Sequence, residues 1–207
     1  MKITAIEKQK KGKRYNIFLD GEFAFGIYDD TLGKYGLRTN DELDEKRIKE
    51  IKKYDEISFG KRVAYTFLSH QPRTEKEIRD KLKLKKISEK SINEIINKLK
   101  ELKFINDEDY AKQYLESRLE RNPQGKRVLE IKLIKKGIDR NLIKDIIEEK
   151  YNPQTETEKA LEVLKKYKKK VKSKDKYDLK RKCFAHLLSR GFEYDVINEA
   201  LSLNEEL

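Results

Sequence analysis

Three consecutive carboxylates, Asp107, Glu108 and Asp109, are the residues whose type and crowding could hold a divalent cation or move a proton. Their spacing argues against both. Consecutive side chains on a helix leave the axis in different directions, at about 3.6 residues per turn, and no second acidic cluster or histidine set accompanies them. Acids in a first helical turn favour its positive end, so helix capping accounts for all three. His70 and His186 belong to no paired ligand motif. A single cysteine, Cys183, excludes an internal disulfide framework and agrees with a reducing compartment. No pair of glycines, Gly33 and Gly36 included, fits the Gly-x-x-x-x-Gly-Lys loop that cradles phosphates. The expectation is a protein with no catalytic residue, no metal and no cofactor, and therefore not an enzyme.

What remains is charge. Of 207 residues, 43% are charged and 36% hydrophobic, so much of each helix must face water. A net charge of +12 points to an anionic partner, with nucleic acid or a nucleoprotein favoured over a membrane. No apolar run approaches a bilayer's thickness, and the N-terminus lacks the apolar core of a signal peptide. The expected location is the cytoplasm.

The elements that must position these charges follow from a repeat centred on residues 133–147. Leu133, Gly137, Ile138, Ile143, Ile146 and Ile147 describe a helix end, a glycine stop, one apolar residue and a new helix. Glycine suits the stop because it tolerates the left-handed conformation just past a helix C-terminus. Leu187, Gly191, Phe192, Ile197, Ala200 and Leu201 fall in register downstream, and Leu82, Lys86, Ile87, Ile92, Ile95 and Ile96 fall in register upstream. Pairs of the form Ala-x-x-x-Leu, at Ala64 and Leu68, Ala111 and Leu115, Ala160 and Leu164, mark one further helix per copy. Each copy is thus three helices, about fifty residues long, in a tandem array whose neighbours share cores. In this register Cys183 falls on the apolar positions Leu129 and Ile78, a buried structural place, and His186 falls on Lys132 and Lys81, an exposed one.

Residues 1–57 have another texture. Segments 3–9, 14–19 and 22–27 are rich in β-branched and aromatic residues and are separated by Lys11-Gly12 and Asp20-Gly21. Asp-Gly is a preferred two-residue hairpin turn, so an antiparallel meander is expected. A strict two-residue loop sets Phe18 opposite Phe23. A three-residue loop sets Leu19, Ile17 and Tyr15 opposite Phe23, Phe25 and Ile27, which groups the apolar residues better. The aromatics Tyr15, Phe18, Phe23 and Phe25 read first as hairpin core, with a base-stacking platform as the second reading. A short helix then runs from Asp29 to Gly36, and a longer one starts at Asp44 with Ile48, Ile51 and Tyr54 at helical spacing.

The first repeat, 58–105, opens with Phe59, Val63 and Phe67 on one helical face. Its second helix starts at the capping box Thr74-x-x-Glu77, and its third carries Ile92, Ile95, Ile96, Leu99 and Leu102. The second repeat, 106–154, starts at an Asn106 cap and is broken by Asn122-Pro123-Gln124-Gly125. The third, 155–207, opens with the box Thr155-x-x-Glu158, and Asn152, Pro153 and Gln154 are the expected hinge before it. The fold class is therefore mainly α: three tandem three-helix repeats in an elongated array behind a small β-meander with its helices. Positive charge concentrates in residues 58–105 and 155–182, each carrying +7, which suits a molecule laid along a polyanion through salt-sensitive contacts. The lysine run 165–176 has an equally open second reading, as the solvated face of a long helix.

Phe104-Ile-Asn-Asp-Glu-Asp-Tyr-Ala111, followed by Gly125 and Leu133-x-x-Lys136-Gly137-Ile138 and preceded by Ala64-x-x-x-Leu68-Ser69 and Arg73-Thr74-x-x-Glu77-Ile78, resembles the RecX family of bacterial recombination regulators. The hairpin Arg14-Tyr-Asn-Ile-Phe-Leu-Asp-Gly21 resembles the extension of its longer members, typical of Gram-positive bacteria. One departure stands out: Lys86 holds the place of the helix-stopping glycine. The resemblance implies a non-catalytic protein that binds the RecA recombinase as a filament on single-stranded DNA. It also implies depressed ATP hydrolysis and strand exchange, and net filament disassembly. Weak non-specific affinity for single- and double-stranded DNA and a monomeric state complete the expectation. The contact residues expected are Arg73, Lys76, Arg79, Arg118, Arg121, Lys126, Arg127, Lys132, Lys135 and Lys136, being basic and near repeat junctions or off the apolar stripes. The rival reading is a sequence-independent nucleic-acid-binding protein that needs no recombinase contact. A third is a helical adaptor for another acidic protein.

Overall fold

The computed structural model describes residues 1–10 and 12–204, so Lys11 of the first turn and the last three residues of the 155–207 segment lie outside the described residues. Two compact units make up the chain: Met1–Arg73 with Glu77–Ile105, and Thr74–Lys76 with Asn106–Leu207.

In the first unit, β1 (Ile3–Lys8), β2 (Arg14–Leu19) and β3 (Glu22–Tyr28) form an antiparallel sheet in that order. The two-residue register holds at the turn and the other only beyond it, so the Leu19–Phe23 pairing does not form. Asp20 (φ 50°) and Gly21 (φ 92°) make the two-residue turn, which pairs Leu19 with Glu22 and Phe18 with Phe23. Ala24 then bulges, and beyond it Ile17 faces Phe25 and Tyr15 faces Ile27. A bulge adds one residue to one strand, so a tight turn and an apolar ladder coexist. Ile17, Phe25 and Ile27 are buried, while Phe23 stays exposed.

α1 (Asp29–Tyr35) ends on left-handed Gly36, as expected. α2 (Glu45–Leu68) starts at Asp44, whose side chain accepts from the Arg47 N–H, and runs 24 residues without interruption. The boundary expected between residues 57 and 58 therefore falls inside one helix. Gly60 does not break it: a Cβ there would stand 2.4 Å from Ile95 Cδ1, so the glycine leaves room for that side chain against the helix. The first half of α2 gives Ile48 and Ile51 to the core under the sheet. The second half gives Ile57 and Ala64 to the first three-helix core. Asp55, buried between them, accepts from the Tyr28 N–H (2.8 Å) and the Thr31 hydroxyl (2.7 Å).

α3 (Glu75–Leu84) begins one residue after Thr74, and α4 (Glu89–Glu101) follows its Ser88 cap. Between them Lys86 is left-handed at φ 60°, beside 85° at Gly137 and 86° at Gly191 in the equivalent places. At each stop the next residue's N–H reaches back to the same register leucine: Ile87 to Leu82 (3.3 Å), Ile138 to Leu133 (3.2 Å) and Phe192 to Leu187 (3.3 Å). This is the two-bond ending in which a left-handed residue satisfies orphan carbonyls, so the repeat keeps its geometry without its glycine. Leu102, expected on the apolar face of α4, is its exposed C-cap instead.

The second unit holds α5 (Asp107–Arg121), α6 (Lys126–Lys135), α7 (Arg140–Lys150), α8 (Pro153–Lys168), α9 (Lys176–Ser189) and α10 (Tyr194–Ser202). Asn106 caps α5 by accepting from the N–H groups of Glu108 and Asp109. Leu133, Ile138, Ile143, Ile146 and Ile147 fill one core, and Leu187, Phe192, Ile197, Ala200 and Leu201 fill the next. The expected hinge is a helix start: Asn152 accepts from the Thr155 N–H (2.9 Å), and Pro153 takes the first helical position of α8. α8 therefore begins two residues before the box read at Thr155. Its flank is sealed, with Tyr151 fully buried and its hydroxyl donating to the Gln124 carbonyl (3.0 Å). Gly125 N–H donates to the Arg190 carbonyl (3.0 Å). Buried Glu156 accepts from Lys126 N–H (3.1 Å) and pairs with its ammonium (3.4 Å).

Candidate partner and nucleic-acid interface

In the first unit a cavity of about 390 Å³ opens beside α2, floored by Tyr28, Phe59, Val63 and Phe67. Phe59, Val63 and Phe67 recur every four residues and so share one helical face. Arg62, His70, Lys81 and Lys85 rim it. The rings are already engaged: Tyr28 stacks on Phe59 at 5.3 Å. The Arg62 guanidinium lies 4.0 Å over Tyr28, and that of Arg73 lies 4.0 Å over Phe67. Base stacking needs a free ring face, and part of that surface is already taken on Tyr28 by Phe59 and Arg62 and on Phe67 by Arg73. An apolar floor inside a cationic rim suits an acidic peptide segment carrying an apolar side chain.

The ten cations singled out in the sequence divide by environment. Arg73 packs on Phe67 and pairs with Glu77 (3.8 Å). Arg79 donates to Asn93 (2.7 Å) and lies 3.6 Å from Glu89. Lys126 is held by Glu156. These three are already engaged by neighbours within the chain. Lys136 lies over the Tyr110 ring (5.8 Å), and Lys76 is exposed with its stem against Gly137. Arg127 and Lys135 are exposed on α6, where Ile131 and Ile134, at compatible helical spacing, are also exposed. Arg118 lies over Tyr114 (5.0 Å). Lys132 donates to Gln124 (2.8 Å), and burial, then the nearby Arg118 and Arg190, hold its ammonium below the usual lysine range. Arg118, Lys132 and Arg190 are thus near neighbours, and Arg121 is exposed at the end of α5.

Sequence reasoning missed the rim of the first cavity. Lys81 and Lys85 sit one turn apart on and just past α3, a signal that only the position of Phe67 converts into a site. His186, expected on an exposed face, is half-buried and stacked on Tyr167 at 3.9 Å. Burial, then Arg190, pushes its pKa down. Cys183 is buried, and burial pushes its thiol up. Among the described residues no group of three or more His, Cys, Asp or Glu could hold a metal ion. None of the helices described is long and apolar enough to cross a membrane.

Fold and surface together define a class: a helical-repeat protein in which a three-stranded sheet is followed in sequence by three three-helix segments, with a partly basic cavity in its first unit. Family models match all four parts: the regulatory protein RecX N-terminal domain over residues 1–44, and the first, second and third three-helix domains of RecX over 61–99, 106–146 and 154–201. Regulatory protein RecX of Bacillus subtilis strain 168 is 37% identical over 200 residues, covering 96% of this chain and 75% of the relative. That of Listeria welshimeri is 36% identical over 201 residues, covering 97% and 74%. A crystal structure of regulatory protein RecX matches with a TM-score of 0.66 at 29% identity, over 97% of this chain and 98% of that one. A crystal structure of RecX from Lactobacillus salivarius matches with a TM-score of 0.66 at 34% identity, over 74% and 99%. The chain belongs to the RecX family of regulatory proteins.

Proposed function

We propose that this protein is a non-catalytic, cytoplasmic, monomeric regulator of the RecA recombinase. It binds the RecA filament on single-stranded DNA, lowers ATP hydrolysis and strand exchange, promotes filament disassembly, and touches DNA weakly and without sequence preference. Membership of the RecX family supports the choice of partner. The observation that carries the docking itself is the cavity of the first unit, whose apolar floor and basic rim suit an acidic protein segment with an apolar side chain. All ten cations stay contact candidates under this reading: Arg118, Arg121, Arg127, Lys132 and Lys135 with Lys76 and Lys136, and, already engaged by neighbours in the chain, Arg73, Arg79 and Lys126. The division at 1–57, 58–105, 106–154 and 155–207 is kept as one of sequence segments, with α2 crossing the first boundary.

The test is the ATPase rate of the cognate RecA on single-stranded DNA, titrated with this protein, beside its affinity for the same DNA alone. Inhibition well below the concentration that coats naked DNA is expected. Inhibition only at saturation would instead favour a sequence-independent nucleic-acid-binding protein that competes for DNA. The net charge of +12 speaks for that second reading, and it predicts tight naked-DNA binding that falls steeply between two salt concentrations in gel shifts.

A further inference from the structure

Within the second unit, the end of α5, the outer side of α8 and the end of α9 enclose a cleft of about 230 Å³. Four cations line it: Arg121 from α5, Lys166 from α8, Lys170 just past α8, and Arg190 from the C-cap of α9. Lys166 on the last turn of α8 and Lys170 in the turn that follows it both line the cleft. No carboxylate is among the lining residues. Elsewhere on the same helix acids do find cations, as in Lys159 with Glu162 at 2.7 Å, and the absence of a counter-charge is therefore a property of this cleft. Arg190 is fixed by donating to the Asn122 side chain. The stacked pair Tyr167 and His186 forms one wall.

Four like charges around one concavity repel one another, and the repulsion is relieved by a ligand carrying several negative charges. The volume falls below the roughly 300–1,000 Å³ of pockets that engulf a drug-sized ligand. A strand laid through the cleft fits where a swallowed nucleotide does not. The two rings face each other, so each spends one face on its partner.

We propose that this cleft takes the phosphodiester backbone of single-stranded nucleic acid, with Arg121, Lys166, Lys170 and Arg190 as its phosphate contacts. The assignment deepens the DNA-binding part of the proposed function and rests on it, but not on the recombinase contact. It also gives the lysine-rich end of α8 a task beyond solvation.

The test is fluorescence anisotropy of a labelled oligothymidylate titrated with the full chain at several salt concentrations. The variant is Lys166→Gln with Lys170→Gln and Arg190→Gln. A charge-matched control carries Lys10→Gln, Lys46→Gln and Lys90→Gln, all exposed in the first unit. The cleft variant should bind at least about tenfold more weakly, and its slope of log affinity against log salt should flatten by about 2, from three lost single-strand phosphate contacts. The control should stay within about twofold, and Lys166→Arg with Lys170→Arg should keep the parent affinity. Equal losses in variant and control, or no loss in the variant, would overturn the assignment. RecA ATPase inhibition measured on the same proteins separates the two claims. If the parent protein fails to inhibit while the cleft variant still loses DNA, the recombinase reading falls and the cleft stands.

Discussion

Gly125 lies so close to Gly191 that a Cβ on the former would stand 2.0 Å from the latter's carbonyl oxygen. Two backbones meet there with no side chain between them, and the Gly125 N–H to Arg190 carbonyl bond closes the contact. Gly125 itself has an ordinary φ of −67°, so distance and not conformation demands the glycine. Gly125→Ala should destabilise the protein by about 1–3 kcal/mol through overpacking, lowering the melting temperature by several degrees for a chain of this size. Gly33→Ala, which meets nothing within 4 Å, should be neutral or stabilising. Calorimetry on the pair checks this; equal midpoints would mean that the junction yields without cost.

Lys86 and Lys103 hold left-handed backbone at φ 60° and 58°. A side chain in that region costs roughly 1–2 kcal/mol. Lys86→Gly and Lys103→Gly should each raise stability by about 1 kcal/mol, seen as a higher urea midpoint at unchanged slope. A lower midpoint would show that the lysine side chains contribute more than their backbone strain costs.

Glu156 is 2% exposed, and burial raises its pKa above the ordinary 4.5 despite the opposing pull of Lys126. A raised folded-state pKa means that the folded protein holds the proton more tightly than the unfolded chain. The contribution is therefore fully present below 4.5 and is lost as pH rises through the folded value. Glu156→Gln should thus gain on the parent protein as pH rises from 4.5 toward neutrality, measured by melting temperature across that window. Lys126→Ala, which strands the buried carboxylate, should destabilise by about 1–3 kcal/mol at neutral pH and leave RecA inhibition per folded molecule unchanged.

The rim of the first cavity can be discharged while every floor residue is kept, at the loss of one cation, Lys81, from over the Phe67 ring (5.4 Å). Lys81→Gln with Lys85→Gln should raise the concentration needed for half-inhibition of RecA ATPase about tenfold, equivalent to about 1.4 kcal/mol. Affinity for naked single-stranded DNA should move less than about threefold. A larger loss on DNA than on RecA would reassign the rim to nucleic acid.

The repeats were legible because the helix stops and apolar positions recur in register: Leu82, Leu133 and Leu187 are all fully buried. Even the departure at Lys86 conceals no departure in structure. The continuity of α2 was not legible, because the change in texture near residue 57 marks a change of core and not of element. Among the contact cations, distance from apolar stripes cannot reveal an acid supplied from far along the chain. Lys126 and Glu156 are 30 residues apart. The phosphate cleft was hidden for the converse reason, since its four cations come from three elements, each ordinary on its own.

α2 carries a consequence for how the N-terminal half comes apart. Its 24 residues are rooted at one end under the sheet and at the other in the first three-helix core, with Asp55 pinning the middle to Tyr28 and Thr31. Melting one core frays the helix into the other, so sheet and helices should lose protection from hydrogen exchange together, as one cooperative block. The meander is therefore not a removable leader: a truncation at residue 57 would cut a helix in half and leave neither remnant a complete core.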